Sequence, residues 1–328
     1  MKVCLYFEHN HPASWSSGIR QAYDNQVRAL RSAGVSVTSD PDEPFDVLHL
    51  EALGPRSYYL AEKYGGVRPV VIHGHTTAED FANSFVMSDM LAAPLGRLLT
   101  RFYNKADLVI APTTYTKRVL QRHGVERPIA VLTNGVDLRR FESLRRARSL
   151  GRGRHLLRGI VVFAVGLVLL RKGVDVFCEV ARLLPHLTFV WFGRIHRAVK
   201  AETLRVIEDA PPNVRFPGYV ENVTEAYAAG DIFFFPSAVE NEGIAVLEAA
   251  AAGRPLVLRD AECFADRFVG GGNCLMAADA EEFSAHLARL AADPDLRTRL
   301  GEAARRFAAA HSLEEVGAGL RRIYEQLV

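Results

Sequence analysis

Asp231-Ile232-Phe233-Phe234-Phe235-Pro236-Ser237-Ala238-Val239-Glu240-Asn241-Glu242-Gly243-Ile244-Ala245-Val246-Leu247-Glu248 opens as an uninterrupted apolar run and closes with helical spacing. A run that short and that apolar suits a strand buried on both faces, as in a parallel sheet. Gly243 permits a sharp entry into the following helix, so the unpaired N–H groups of its first turn point out beyond the strand end. Such an end suits a phosphate. Glu248, more than a turn inside the helix, can accept hydrogen bonds from paired hydroxyls, as on a ribose. Glu240, in the loop, is placed to grip a sugar. The same acids also read as an acidic helix start favoured by the dipole.

On either side of this stretch the strand–loop–helix unit recurs. Strands are expected at 2–7, 35–38, 46–50, 69–73, 108–111 and 129–133, then at 160–165, 187–192, 214–216, 231–235, 255–258 and 273–276. Amphipathic helices fit between them at 19–33, 55–64, 88–105, 114–123, 173–184, 197–209, 223–229 and 244–252, and the last fifth of the chain is helical. Ser312 with Glu315 three residues on forms a capping-box pattern at the start of the final helix. Alternation of this kind implies βαβ crossovers and a parallel sheet. The Arg-rich segment 138–159, with Gly151 and Gly153, breaks the rhythm and reads as a linker. The expected class is therefore α/β, with two Rossmann-like domains whose parallel sheets face each other across a ligand-binding cleft. Residues 1–158 would form the first domain with the linker at its end, residues 159–310 the second, and 311–328 a final helix able to return to the first.

The composition agrees. The chain has 328 residues, 49% of them apolar and 24% charged, which excludes a disordered chain or a disulfide-stapled miniature. Cys4, Cys178, Cys263 and Cys274 show no C-x-x-C spacing, so buried free thiols in a reducing cytoplasm are expected. The longest uncharged apolar stretch, Ile160 to Leu170, is far below the roughly 20 residues a membrane-spanning helix needs. Any membrane contact is expected to be peripheral. The net charge of +2 conceals an asymmetry: residues 1–158 hold 22 basic and 15 acidic residues, a net of +7, and the remainder nets −5. That split suggests an anionic partner, a membrane surface or a nucleic acid, for the first half. No aromatic stacking platform favours nucleic acid.

Other groups are candidates for chemistry. Val165-Gly166-Leu167-Val168-Leu169-Leu170-Arg171-Lys172-Gly173 delivers two cations to a helix start, where they are unfavourable unless an anion lies between them. They read otherwise as two solvated charges on a turn. Ser16-Ser17-Gly18 opens the first helix with one glycine, which is not a dinucleotide fingerprint but allows close backbone approach. Val71-Ile72-His73-Gly74-His75-Thr76 ends a strand with two imidazoles, of which His75 sits where cleft residues belong; His9 and His11 follow the first strand. Asp40-Pro41-Asp42 and Asp293-Pro294-Asp295 read as turns or caps, so no metal is expected. In 94–105, Leu95, Leu98, Leu99 and Phe102 share helical spacing while Arg97, Arg101 and Lys105 recur every four residues. Such a helix can lie on anionic lipid or bury its stripe in a core.

With these residues in view, the sequence resembles the retaining glycosyltransferases of family 4, which have the GT-B fold. The likeness rests on Ser17-Gly18, His75, Asn134-Gly135-Val136-Asp137, Arg171-Lys172-Gly173, Phe216-Pro217-Gly218-Tyr219-Val220 and the Glu240…Glu248 pair. A nearer likeness, to the bacterial diacylglycerol glucosyltransferases, is carried by His75-Thr76-Thr77-Ala78-Glu79-Asp80-Phe81, Gly166-Leu167 with Arg171-Lys172-Gly173, Phe189-Val190-Trp191-Phe192-Gly193 and Val257-Leu258-Arg259-Asp260. The resemblance implies that Arg171 and Lys172 hold the donor diphosphate, assisted by backbone at Gly243 and Ile244. It implies that Glu248 holds the ribose, Glu240 the transferred sugar, His75 the sugar near the reacting carbon, and that Gly18 lets the first domain approach the phosphates. Many family members carry Arg directly after the glycine of Val165-Gly166, and here Leu167 stands instead.

The resemblance further implies transfer of a hexose, glucose by expectation, from a nucleotide diphosphate sugar such as UDP-glucose to a hydroxyl, with anomeric retention and without a metal cofactor. The expected acceptor is a membrane diacylglycerol lipid, with the protein cytoplasmic or peripheral on the inner membrane face and lipid contact within residues 1–158. The alternatives are a soluble sugar or sugar-phosphate acceptor, a Rossmann-type oxidoreductase lacking its glycine fingerprint, and a non-catalytic binding module.

Overall fold

Twelve short strands account for the two sheets of the computed structural model, which describes residues 1–8 and 18–328 and only the backbone of Arg145 and Arg146. His9, His11, Ser16 and Ser17 lie outside the described residues. The chain divides into two units, one of residues 1–81, 90–137 and 311–328, the other of 82–89 and 138–310.

The first unit holds β1 (Lys2–Tyr6), β2 (Ser36–Thr38), β3 (Val47–Leu50), β4 (Val70–His73), β5 (Leu108–Ala111) and β6 (Ile129–Val131), ordered β2-β1-β3-β4-β5-β6. Every pairing is parallel, with His49 opposite Val71 and Leu50 opposite Ile72. Alternate strand residues feed opposite faces. Leu48, Leu50, Val70 and Ile72 pack with Leu99 and Phe102, whereas Val3, Leu5, Val47 and Val71 pack with Ala29, Leu30, Leu313, Val316, Leu320 and Tyr324. The last group includes the final helix, Leu313–Glu325, whose Ser312 hydroxyl accepts from the Glu315 N–H at 3.3 Å. That helix lies close on Gly18–Ser32: a Cβ at Gly317 would stand 2.2 Å from the Ala29 carbonyl oxygen.

The second unit holds β7 (Val161–Val165), β8 (Thr188–Phe192), β9 (Val214–Gly218), β10 (Ile232–Phe235), β11 (Leu256–Arg259) and β12 (Leu275–Ala277), ordered β12-β11-β10-β7-β8-β9 and again all parallel. Counted from β7, this is the doubly wound order 3-2-1-4-5-6, which reverses direction between β7 and β10. Its core is aromatic: Phe177 stands edge-on to Trp191 at 5.1 Å and stacks on Phe234 at 5.5 Å. The four cysteines are free and buried.

The segment 138–159, expected as a linker at the end of the first domain, differs. Leu138–Phe141 is a 3-10 turn and Leu144–Arg154 an α-helix, both within the second unit. Its arginines are the reason. Arg148 and Arg152 both bind the Asp231 carboxylate at the foot of β10, Arg152 also binds the Ala229 carbonyl at 3.0 Å, and Arg154 pairs with Glu225 at 2.6 Å. Reassigning these residues removes the charge asymmetry. The first unit holds 16 basic and 16 acidic residues, a net of zero, and the second the remaining 24 and 22, a net of +2.

Candidate active site

In the second unit the C-terminal ends of β7 and β10 meet at the reversal of strand order, where open parallel sheets bind ligands. β7 leads through Gly166 to a 3-10 turn, Leu170–Lys172, and β10 leads through Pro236 into the loop that ends at Gly243. Gly173 fixes how close these segments come. Its φ is +79°, and a Cβ would stand 2.4 Å from the Pro236 carbonyl oxygen. Gly243, at φ +78°, turns the loop into the helix Ile244–Ala251, whose N-terminus carries no side-chain cap.

This turn brings Arg171, Lys172 and Glu240 together. The Lys172 ammonium donates to Glu240 Oε1 at 2.6 Å, the Ser237 hydroxyl donates to the same oxygen at 2.8 Å, and Arg171 stands 3.5 Å from it. Arg171 also donates to the Val239 carbonyl at 2.5 Å and to the Ser84 hydroxyl at 3.1 Å. Burial alone would raise the Glu240 carboxyl, but the Lys172 and Arg171 cations outweigh it and hold it below the usual carboxylate range. Two cations, one carboxylate and an uncapped helix N-terminus leave a positive surplus at one point. That arrangement stabilises a polyanion and a developing negative charge.

Glu248, buried one turn into the helix, has partners that spacing along the chain does not reveal. The Tyr227 hydroxyl donates to its Oε2 at 2.8 Å, and Arg140 stands 3.5 Å from Oε1. Burial raises the Glu248 carboxyl, with Arg140 and Tyr227 opposing. Arg140 belongs to the segment expected to be a linker, so only the packing of that segment reveals its role.

In the first unit, His75 sits beyond β4 and is 8% exposed. Its Nε2 lies 2.7 Å from Glu51 Oε2, and its ring stacks on His73 at 4.0 Å. Gln26 donates its amide to Glu51 Oε2 at 3.1 Å and contacts His73 Nδ1 at 3.2 Å, while His49 Nδ1 meets the Tyr324 hydroxyl at 2.6 Å. Glu51 and His49 were not anticipated. A signal existed: polar residues recur at i and i+2 at the ends of two adjacent strands, His49/Glu51 and His73/His75, which places each pair on one face. Gly18 opens its helix with no described atom within 4 Å of where a Cβ would stand, so no described neighbour demands glycine there.

The five residues expected to meet lipid divide. On the helix Ser88–Tyr103, Arg97, Leu98 and Arg101 are exposed. Phe102 is fully buried beside Leu99, because the 95/99/102 spacing faces the core, so it is withdrawn as a lipid contact. Lys105 is held by Glu62 at 2.8 Å. No helix among the described residues is long and apolar enough to cross a membrane.

Two doubly wound sheets of this kind, each with polar groups at its C-terminal edge, have the architecture of the GT-B fold. Comparison with known proteins agrees. The model for glycosyl transferases group 1 matches residues 153–307, and that for glycosyltransferase family 4 matches residues 38–140. The chain is a member of this glycosyltransferase family. It is 33% identical, over all of its length and 99% of the relative's, to a processive diacylglycerol alpha-glucosyltransferase of Acholeplasma laidlawii. An alpha-galactosylglucosyldiacylglycerol synthase of Streptococcus pneumoniae is 26% identical over 91% of this chain and 83% of its own. Among solved structures, Anabaena HepE in complex with UDP and glucose superimposes with a TM-score of 0.79 at 16% identity, covering 100% of both chains. Family membership sets aside the oxidoreductase and the non-catalytic module.

Proposed function

We propose that the protein moves glucose from UDP-glucose to the hydroxyl of a diacylglycerol lipid with retention of anomeric configuration. The observation that carries the donor side is the Arg171–Lys172–Glu240 cluster beside the uncapped helix at Gly243. In this reading Arg171, Lys172 and the N–H groups at Gly243 and Ile244 bind the diphosphate and take up the charge that develops as it leaves. Glu248, preset by Tyr227 and Arg140, accepts from the ribose hydroxyls. Glu240 accepts from the sugar hydroxyls, His75 meets the sugar near its reacting carbon, and Gly18 leaves room for the phosphates. The bond from the anomeric carbon to the diphosphate breaks, the bond to the acceptor oxygen forms on the same face, and the acceptor proton passes to the departing phosphate oxygen. These residues supply the electrostatic stabilisation without a metal cofactor.

The acceptor reading is supported by the names of the relatives and by the outward face of the helix Ser88–Tyr103. Met90, Leu91 and Leu98 are 63%, 44% and 44% exposed there, beside the exposed Arg97 and Arg101. An apolar strip flanked by arginines suits an anionic bilayer surface, with the protein peripheral on the cytoplasmic face. A soluble acceptor is the second reading, supported by 29% identity over 87% of this chain to a D-inositol 3-phosphate glycosyltransferase of Salinispora arenicola. Replacing Lys172 or Glu248 with Ala tests the donor site. Each change is expected to cut transfer by about 100-fold or more, the usual scale for a lost electrostatic group in a preorganised site. Transfer nearly intact in both variants contradicts it.

A further inference from the structure

The second unit carries a pocket of about 580 Å³ that none of the proposed donor groups lines. Ala252, just past the end of the helix Ile244–Ala251, forms one wall, so the pocket lies at the opposite end of that helix from Gly243. Phe141 and Leu144 form a second wall. The size is in the range of small-molecule sites.

Its charges are unbalanced. Arg148 and Arg152 both bind the carboxylate of Asp231. Arg254 shares the field of that same carboxylate, forms no ion pair among the described residues, and its Nε is buried without a hydrogen-bond partner. Burial, with Arg148 and Arg152 adding repulsion, lowers the Arg254 guanidinium to about 10. Arg254 is half-buried, and a partly desolvated cation without its own counter-ion carries a cost that an incoming anion removes. Arg305 lines the same pocket, exposed and without an ion-pair partner among the described residues. Ser143 stands there at the N-cap of Leu144–Arg154 with no side-chain capping bond, and that helix has no acid in its first turn. Glu142 is the one acid among the described lining residues, and it is exposed to solvent.

We propose that this pocket is a second anion site, binding a phosphate-bearing ligand through Arg254 and Arg305 with the Ser143 helix end. Its lining residues lie within a few positions of 137/138 and 310/311, two of the four places where the chain passes between units. The ligand is a soluble phosphate ester or a phospholipid headgroup, which share this chemistry. The site does not depend on the donor reading.

The test uses the full chain carrying Lys172→Ala, so that phosphate binding at the donor cluster does not dominate. Thermal unfolding and calorimetry follow a titration with orthophosphate against chloride at equal ionic strength. A saturable rise in Tm is expected, because a ligand that binds only the folded state stabilises it. Adding Arg254→Gln abolishes the rise, Arg254→Lys keeps part of it, and Arg305→Gln weakens the apparent affinity about tenfold. Arg254→Gln also unfolds no lower than its parent in chloride, since it removes an unpaired, half-buried charge. Should that variant fail to fold, the exposed Arg305→Gln carries the comparison. Glycerol 3-phosphate and dihexanoyl phosphatidylglycerol, titrated in parallel, separate the sources: tighter binding of the second assigns a lipid headgroup, tighter binding of the first a soluble ester. No rise in the Lys172→Ala protein, or an equal rise after Arg254→Gln and Arg305→Gln, overturns the proposal.

Discussion

Glu240 is a carboxylate kept ionised in a buried place by the two cations beside it, and they are held in turn by it. Exchange for Gln removes the charge and preserves the shape. In Glu240→Gln, transfer is expected to fall by about 100-fold, while UDP binds as tightly as before or tighter, because Lys172 and Arg171 lose their internal competitor. Equilibrium binding and initial rates measure both; loss of UDP binding would place Glu240 elsewhere. At the other sheet, burial holds the His49 imidazole neutral, its pKa lowered from 6.5 to about 4 with Glu51 opposing and His75 assisting, and burial pushes His73 well below 6.5. The folded values are depressed, so an unfolded chain takes up these protons first as pH falls. The stability that these neutral imidazoles contribute is therefore fully present above about pH 6.5 and is lost towards pH 4. Urea unfolding across that range should show His49→Gln with a shallower decline, by up to about 1.4 kcal/mol per pH unit. An unchanged slope would mean that His49 titrates normally. Arg171, Lys172, Glu240 and Glu248 were legible because they lie on two short strand–turn–helix segments, after β7 and after β10, whose local pattern marks them. Tyr227, Arg140 and Tyr324 were not, since they reach their partners across tertiary structure, whereas Glu51 left only the strand-end pattern it shares with His49.

At the scale of elements, β-branched and aromatic runs disclosed all twelve strands, and several helices fell within a residue of expectation, Pro55–Tyr64 and Val223–Ala229 at both ends. The failure at 138–159 has a physical cause. Gly151 and Gly153 lower intrinsic helix propensity, and the helix depends on arginine contacts with Asp231, Ala229 and Glu225 that no local pattern announces. The helix Ser88–Tyr103 shows the reverse problem, since a stripe that suits lipid also suits a core. Its two faces now make opposite predictions. Leu99→Ala and Phe102→Ala should each cost about 2–5 kcal/mol in urea unfolding, as large-to-small core changes do. Met90→Ser with Leu98→Ser should leave stability within about 1 kcal/mol yet weaken binding to anionic vesicles. Undiminished vesicle binding by that double variant would remove this face from the acceptor reading.

Over the whole molecule, length and alternation disclosed two α/β units, and the motif pair with its resemblance pointed to the family the comparisons show. The net charge was the misleading quantity. Cutting the sequence at 158 produced +7 and −5, whereas the observed units net zero and +2 because eight arginines from 139 to 158 belong to the second. The lipid reading thus rests on one helix face and on kinship, with no support from a basic half. Its most direct test is transfer by the full chain in mixed vesicles of diacylglycerol and phosphatidylglycerol supplied with UDP-glucose, in parallel with Lys172→Ala. The expected product is an alpha-linked glucosyl diacylglycerol that nearly disappears in the variant. Glucosylation of a soluble acceptor with none of the lipid would contradict the acceptor, and equal product from the variant would contradict the site.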